Sequence, residues 1–482
     1  MKINLGRETL TCGRIAQICR GTLTPGGQEG IRVSSVCTDS REAGPGSAFL
    51  AIKGERTDGH LYAGAAAAAG AACVIGEYRP ENAPDIPFIL TDSTVGALQR
   101  LAGAYFCPDG ITRIAVTGSV GKTTTKEMIY SVLSARPSFR SEGNFNSVIG
   151  MPMTMLSIPG GTRYAVLELG LERLGDISVM SRLWRPDIAV ITNVGSSHLE
   201  YAGSRERLIA EKVSVADGMD AGGKILVGKG SAGLEEALAG DGRVMTFSED
   251  PLSGADFYPV GAVDGAGEQR FSVVCPGHIV ENCVIGYYGW HNLRAAVSAA
   301  AVGFLSGLSD REILEGLANY RTVGLRQKIE KVAGVTLIND CYNASPESMR
   351  TSCETLLRVA RDTGGRRFAF LADMFELGPR SPELHAEVGE YFARSGVDYI
   401  ITFGAGAVKY AEGAKKLMPD GHILEFPDPS DPVAPAAVAA ALLAPGDVIT
   451  VKGSRGMRAE RFSEALTRIL RRREDRGGEE AE

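Results

Sequence analysis

The chain has nine cysteines but no CxxC pair among them. Scattered thiols of this kind argue against a zinc site or a disulfide framework and point to reduced, structural residues. No apolar run approaches the roughly 20 residues of a membrane span. The opening MKINLGRETL lacks the apolar core of a signal peptide, so a cytoplasmic protein is expected. Positive charge is not in excess: 51 Lys and Arg face 58 Asp and Glu, a net charge of −7. That balance argues against a general nucleic-acid binder, yet leaves room for a local basic site that takes an anion. The last third of the chain lacks G-x-G-x-x-G after its first strand, so NAD binding is not expected there.

What is present is ordinary in bulk, 44% hydrophobic and 23% charged, over 482 residues. The length suggests about three domains. The chain is organised around ITRIAVTGSVGKTTTKEM, residues 111–128. Ile111, Ile114, Ala115 and Val116 suit a buried strand. Gly118 and Gly121 allow a tight turn and close approach to a ligand. Lys122 and Thr123 open a helix whose Met128, Ile129, Val132 and Leu133 share one face. Helix N–H groups, a lysine and a hydroxyl together suit a polyphosphate with a divalent cation. The full P-loop pattern has a glycine five residues before Gly121, where this chain has Val116. The motif is therefore a shortened form, GSVGKTT.

Strands alternate with helices on both sides of this motif, which implies α/β architecture with right-handed crossovers. The expected units are residues 1–107, a small α/β domain; 108–323, a central P-loop domain with a parallel sheet and a small antiparallel insertion from about 255 to 288; and 324–482, a doubly wound, Rossmann-like α/β domain. In such sheets ligands gather beyond the carboxyl ends of the strands. The P-loop, Glu168 after YAVLEL and His198 after IAVITNV all fall at such ends, on one rim. Near a triphosphate, a carboxylate and an imidazole serve as divalent-metal ligands or as groups orienting them. Asn144 and Asn146 lie in a glycine-containing loop before a helix. Lys212, fourteen residues after His198, is by default a solvated lysine. In the first unit Thr38 to Arg41, including Ser40, and the cluster Lys53, Asp58 and His60 sit in loops, where turn chemistry is the ordinary reading. In the third unit the first strand ends in Asp340 to Pro346, including Asn343. The last strand ends in VKGSRGMR, with Lys452 and Arg455, a basic loop suited to an anion. The charged tail from Arg471 is expected to be a frayed helix end.

Taken together, TGSVGKTTTKE, EGNFNSVIGMP, SSHLEYAGS with Lys212, and GWHNLRAAVSAA resemble the Mur ligases, the ATP-dependent amide-forming enzymes of peptidoglycan synthesis. The resemblance covers nearly the whole chain. DSREAGPGSAFLAIKGERTDGH, NDCYNASPESM, LADMFELGPRSPELH and VKGSRGMRAE are similar to the branch that adds D-alanyl-D-alanine, and no DNPR-type loop of the tripeptide-forming sister is present. The resemblance implies UDP-MurNAc-tripeptide and D-alanyl-D-alanine as substrates, joined through an acyl phosphate by a monomer in a bacterial cytoplasm. It implies that Ser40, Arg41, Lys53, Asp58 and His60 hold the UDP end. Gly118, Ser119, Val120, Gly121, Lys122, Thr123 and Thr124 would wrap the ATP phosphates, with Thr123, Glu168, His198 and Lys212 serving Mg²⁺. Lys212 would be carbamylated. Asn292 would contact adenine, and Arg326 and Asp340 would reach the nucleotide when the third domain closes. Asn144, Asn146, Asn343, Lys452 and Arg455 would meet the acceptor substrates. Departures from the family pattern fall at Ala295 and Ser345, where asparagines are usual, and at GLRQK around Arg326. A folylpolyglutamate-type ligase and a P-loop ATPase without amide chemistry are the rival readings.

Overall fold

The computed structural model describes all residues except 25, 27, 56, 82, 107–109, 196–201, 232, 266, 287–288 and 480–482. Three six-stranded sheets follow one another along the chain. The first places Ser35–Cys37, Ser47–Leu50, Cys73–Gly76 and Phe88–Leu90 side by side in parallel, with Lys2–Asn4 and Thr22–Thr24 as antiparallel edges. The alanine-rich stretch of this domain makes a short helix, Ala63–Ala68, behind a 3-10 turn at Gly59–Tyr62. The helix Thr94–Tyr105 leads out of it.

The middle sheet is wholly parallel, in the order Ser138–Arg140, Tyr164–Glu168, Thr112–Thr117, Ile188–Ile191, Lys224–Gly228, Val244–Phe247. Its central strands are apolar throughout because both faces are covered. Side chains alternate across a strand. Ile114 and Val116 therefore join Met128 and Val132 on one face, while Ala115 joins Leu167 and Ile191 on the other. The expected antiparallel insertion is a three-stranded meander, Tyr258–Gly265, Glu268–Cys275 and His278–Ile285. The helix Trp290–Leu305 then packs on the P-loop helix Lys122–Leu133.

The third sheet runs Lys328–Val332, Val335–Asp340, Val448–Lys452, Arg367–Ala372, Tyr399–Phe403, Ile423–Phe426. All its pairs are parallel except the first. That first pair is a hairpin closed by Ala333 and Gly334, both at positive φ (50° and 78°), as a type I′ turn requires. Sequence periodicity did not single out Lys328–Val332: it is an edge strand, exposed along most of its length. Helix Pro346–Thr363 begins at Ser345, whose hydroxyl caps the Ser348 N–H, and ends at Gly364. The Ser345 departure therefore keeps the helix-capping chemistry of an asparagine. The charged tail continues the last helix, Glu460–Glu479.

The three domains are joined differently. One apolar cluster runs from the first sheet, through Leu98, Leu101 and Phe106, to Met151, Met155, Trp184 and one face of the middle sheet. The two clusters of the third domain contain only residues from 332 onward among the described residues. No helix of the described residues is long and apolar enough to cross a membrane.

Candidate active site

The P-loop is built by its neighbours. Val116 lies inside the strand Thr112–Thr117, so the turn proper begins only at Gly118. Gly118 has φ of 143°, and a Cβ there would lie 2.0 Å from Thr192 Oγ1. Gly121 has φ of 83° and starts the helix. The end of the adjacent strand clamps the loop: Ser119 N–H donates to the Asn193 carbonyl (3.0 Å), Val120 N–H to Asn193 Oδ1 (2.9 Å), and the Thr192 hydroxyl to the Val120 carbonyl (2.7 Å). Asn193 is a site-shaping residue that motif reading passed over. Its signal was present as TNVGSS following a strand. Lys122 Nζ arches over the loop and donates to the Gly118 and Ser119 carbonyls (2.9 and 3.2 Å). Burial pulls the Lys122 pKa down, and the Arg326 charge adds to this against the pull of Glu168.

Thr123 and Glu168 meet below the loop. The Thr123 hydroxyl donates to Glu168 Oε2 at 2.7 Å, and Asn146 Nδ2 donates to Glu168 Oε1 at 2.9 Å. Asn146 thus acts on this carboxylate. Burial would raise the Glu168 pKa, but Lys122, Arg326 and Lys126, with the Thr123 hydrogen bond, outweigh it and hold the carboxylate below its ordinary value. A hydroxyl and an ionised carboxylate are hard oxygen donors, the set that suits Mg²⁺ beside phosphate oxygens. His198 lies outside the described residues. Among the described residues no cluster of three His, Cys, Asp or Glu side chains forms a metal cage.

Lys212 departs from the default of a solvated lysine. It lies on the helix Arg205–Val213, is 0% exposed, and its Nζ has no hydrogen-bond partner among the described residues. Desolvation, reinforced by the Lys122 charge, drives its pKa well below the ordinary value, in the direction of the neutral amine. The neighbouring Glu211 carboxylate accepts from the N–H groups of Gly175 (2.7 Å) and Ile177 (3.0 Å) at a helix start.

The third domain closes the site. Arg326 Nη2 donates to Thr123 Oγ1 at 2.9 Å, and its guanidinium lies 3.9 Å from the Tyr342 ring centroid. Next to it Gln327, at φ 51°, links both domains: Nε2 donates to Thr355 Oγ1 (3.0 Å), and Oε1 accepts from His291 Nε2 (2.8 Å) and Asn292 Nδ2 (3.4 Å). Neither His291 nor Gln327 stood out in the sequence, because their pairing spans 36 residues. Burial lowers the His291 pKa to about 4. Asp340 pairs with Lys452 at 2.9 Å, and Lys452 also donates to the Asn343 carbonyl (3.0 Å). Both residues of this ion pair line one cavity wall.

A cavity of about 680 Å³ gathers Lys122, Thr123, Thr124, Asn144, Asn146 and Glu168 with Asn292, Arg326, Asp340, Asn343, Lys452 and Arg455, and with Glu55 of the first domain. A second, of about 700 Å³, lies on the other side of Val120 and Gly121, against Phe247, Trp290, Arg294 and the departing Ala295. Ser40, Arg41, Lys53, Asp58 and His60 line neither. Arg41 is exposed and bound to Asp39 (2.5 Å), on which its guanidinium acts to hold the carboxyl well below the usual range. His60 is buried, its Nδ1 on Asp58 (2.6 Å) and its Nε2 accepting from Glu77 N–H (2.8 Å). With both ring nitrogens committed, His60 shapes its loop rather than facing a ligand. The same loop sends Glu55 to Arg173 of the middle domain at 2.7 Å.

Family models match residues 32–105 (Mur ligase family, catalytic domain), 116–303 (Mur ligase middle domain) and 326–455 (Mur ligase, glutamate ligase domain). A UDP-N-acetylmuramoyl-tripeptide--D-alanyl-D-alanine ligase of Bacillus subtilis is 34% identical over 459 residues, covering 95% of this chain and 98% of that relative. The crystal structure of MurF from Acinetobacter baumannii matches with a TM-score of 0.87 at 28% identity, over 96% of this chain and 99% of that one. MurF ligase from Thermotoga maritima, solved in complex with ADP, matches with a TM-score of 0.80 at 30% identity, over 91% and 98%. With three family domains in order around one P-loop cavity, the chain belongs to the Mur ligase family, among its UDP-N-acetylmuramoyl-tripeptide--D-alanyl-D-alanine ligases.

Proposed function

We infer that this chain is an ATP-dependent ligase that joins D-alanyl-D-alanine to UDP-MurNAc-tripeptide in peptidoglycan precursor synthesis. The observation that carries the reading is one cavity in which Lys122, Thr123 and Glu168 of the middle domain meet Arg326 of the third. A carboxylate and an amine do not condense usefully in water, so the carboxylate needs a leaving group. The tripeptide carboxylate attacks the γ-phosphorus of ATP, ADP departs, and an acyl phosphate forms. The dipeptide amine then attacks the acyl carbon, the C–O bond to phosphate breaks, and an amide remains. Phosphoryl transfer asks mainly for in-line placement and positive charge on the γ-oxygens, which Lys122, Arg326 and the P-loop N–H groups provide. Thr123 and Glu168 would hold Mg²⁺, which would supply further charge neutralisation. The third domain shields the acyl phosphate from water.

The first-domain loops with Ser40, Arg41 and Lys53 are read as holding the UDP end of the substrate. Domain divisions near residues 107 and 323, a monomeric state and a bacterial cytoplasm belong to the same reading. Lys212 is read as a carbamate: its neutral amine attacks CO₂, a proton leaves, and the anion sits beside the cations of the site. The support is its buried Nζ without a partner. A Lys212→Ala protein is expected to lose ligation about a hundredfold, with partial return on adding short carboxylates. A Lys212→Ala protein indifferent to them, together with an unmodified Lys212 in the intact protein's carbon-13 spectrum under ¹³CO₂, overturns the carbamate. The function itself is tested by phosphate release with ATP, UDP-MurNAc-tripeptide and D-alanyl-D-alanine against each acceptor alone. Release that ignores the dipeptide would favour a simple ATPase.

A further inference from the structure

The P-loop helix Lys122–Leu133 carries a charged pair that the reaction described above does not use. Lys126, one turn after Lys122, is 0% exposed, and Glu127 is buried beside it. Lys126 Nζ lies 3.0 Å from Glu127 Oε1 and donates to the Ser141 carbonyl at 2.6 Å. Glu127 Oε2 pairs with Arg140 Nε at 2.6 Å. The Arg140 guanidinium in turn lies 4.3 Å from the Tyr130 ring centroid. Three residues of the P-loop helix thus grip two neighbours, Arg140 and Ser141. An apolar side chain of similar length would fill this space at lower cost, because a buried ammonium and carboxylate forfeit their hydration. What the ammonium adds is a directed bond to one carbonyl.

Ser141 stands where the edge strand Ser138–Arg140 of the middle sheet ends and the exposed residues 142–144 begin. Its N–H donates to the Val166 carbonyl (3.1 Å), and its hydroxyl accepts from the Glu168 N–H (3.2 Å). Beyond the exposed residues, Asn146 reaches the same glutamate. Its Nδ2 donates to Glu168 Oε1 (2.9 Å), while its carbonyl accepts from the Gly170 N–H (2.7 Å). A Cβ on Gly170 would lie 2.9 Å from Asn146 Cγ, so the loop sits directly against the chain that follows Glu168. The segment 141–146 therefore holds Glu168 twice, once at its main chain and once at its carboxylate, and Lys126 anchors the base of that segment. The Lys126 charge also helps to keep the Glu168 carboxyl below its ordinary pKa. Lys126 itself lines neither cavity.

We propose that Lys126 is a positioning residue for phosphoryl transfer: by fixing Ser141 it sets the segment 141–146, and through Ser141 and Asn146 it aims the Glu168 carboxylate at the P-loop. This rests on the ligase reading and deepens it. Such a relay acts on rate rather than on nucleotide affinity, because the P-loop N–H groups and Lys122 stay in place.

The test compares the full-length wild type with Lys126→Met, which keeps the bulk and removes the donor, and with Lys126→Gln, which keeps a donor. In Lys126→Met the kcat for joining D-alanyl-D-alanine to UDP-MurNAc-tripeptide falls about ten- to a hundredfold, as for loss of a partner that orients a ligand group. The KM for ATP stays at the wild-type value, and Lys126→Gln recovers part of the loss. Added to Asn146→Ala, Lys126→Met lowers kcat little further, as expected of groups that act through one another. In the protein without substrates, amide hydrogen exchange quickens at Glu168 and Gly170 and not in the strand Ile188–Ile191. A folded Lys126→Met with unchanged kcat, or a loss that adds in full to that of Asn146→Ala, overturns the proposal. So does exchange that quickens equally in both places, which makes Lys126 a residue of general stability. If neither Lys126 variant folds, Ser141→Ala decides, since it leaves the buried ammonium alone: a wild-type kcat overturns the relay, and a fall in kcat at constant KM for ATP supports it. A wild-type protein that forms no amide overturns the ligase reading instead, and leaves the exchange result standing.

Discussion

The two junctions of the molecule differ in kind. The first and middle domains share one apolar cluster, in which Trp184 is fully buried, its ring centroid 5.1 Å from that of Phe106 and its Nε1 donating to the Ile114 carbonyl (3.1 Å). The middle and third domains meet through polar contacts: Arg326 on Thr123, Gln327 on His291, and Arg358 on Asp264 at 2.5 Å. Apolar burial is non-directional and costly to undo, so the first junction behaves as continuous core. Polar contacts exchange for water at little net change, so the second can open and close. The contrast predicts a fixed pair of domains with a third that can move, and the polar junction runs through the P-loop itself.

Breaking the apolar junction has the largest expected effect. Trp184→Ala should cost about 3–5 kcal/mol of stability, the usual range for emptying a large buried site. Urea denaturation followed by probes in both domains should show them lost together. A first domain that holds while the middle one melts would mean that the core is not shared. At the polar junction, Arg326→Ala should lower ligation about a hundredfold through lost positioning, with a change in unfolding free energy of no more than about 1 kcal/mol. Equal damage to stability would erase the contrast.

The pH response sharpens the comparison further. His291 has a folded pKa of about 4 against an ordinary value of 6.5, because its burial disfavours the cation. The unfolded chain therefore binds more protons between these values. Stability rises with pH across this window and is lost as pH falls from about 6.5 toward 4, with a slope of at most about 1.4 kcal/mol per pH unit. Denaturation series at several pH values should show this slope in the wild type and lose it in His291→Gln. The smallest effect is expected at Arg358, in its pairing with the exposed carboxylate of Asp264. Added salt should speed amide exchange at the junction of the wild type and leave Arg358→Ala little changed, a difference of about 0.2–1 kcal/mol.

Much of this was legible in the chain. The parallel middle sheet, the antiparallel insertion and the alternating third domain follow from local periodicity and punctuation. The residues of the P-loop, Glu168 and Asn146 lie together because they terminate neighbouring parallel strands or the loops beside them. Less legible were groups whose meaning depends on distant partners. Lys452 and Asp340 read as separate residues, and folding joins them in one ion pair on the cavity wall. His60 read as a binding residue and is a committed internal one. Gln327 and Asn193 carry no motif of their own, and the edge strand Lys328–Val332 has too little buried surface to show a pattern.

By itself the sequence determined the loop that begins this site. Gly118, Gly121, Lys122 and Thr123 are neighbours, and the turn, the helix start and the lysine are short-range consequences of their order. The tertiary structure alone decided the surroundings. On its helix Lys212 is one more charged residue. Folding strips it of water and of any hydrogen-bond partner among the described residues, and so pulls its pKa well down, toward the neutral amine. Arg326 stands 203 residues from Thr123, and only the docking of the third domain brings its guanidinium to 2.9 Å from that hydroxyl. Desolvation and long-range charge are properties of a packed environment, and no local stretch of chain contains them.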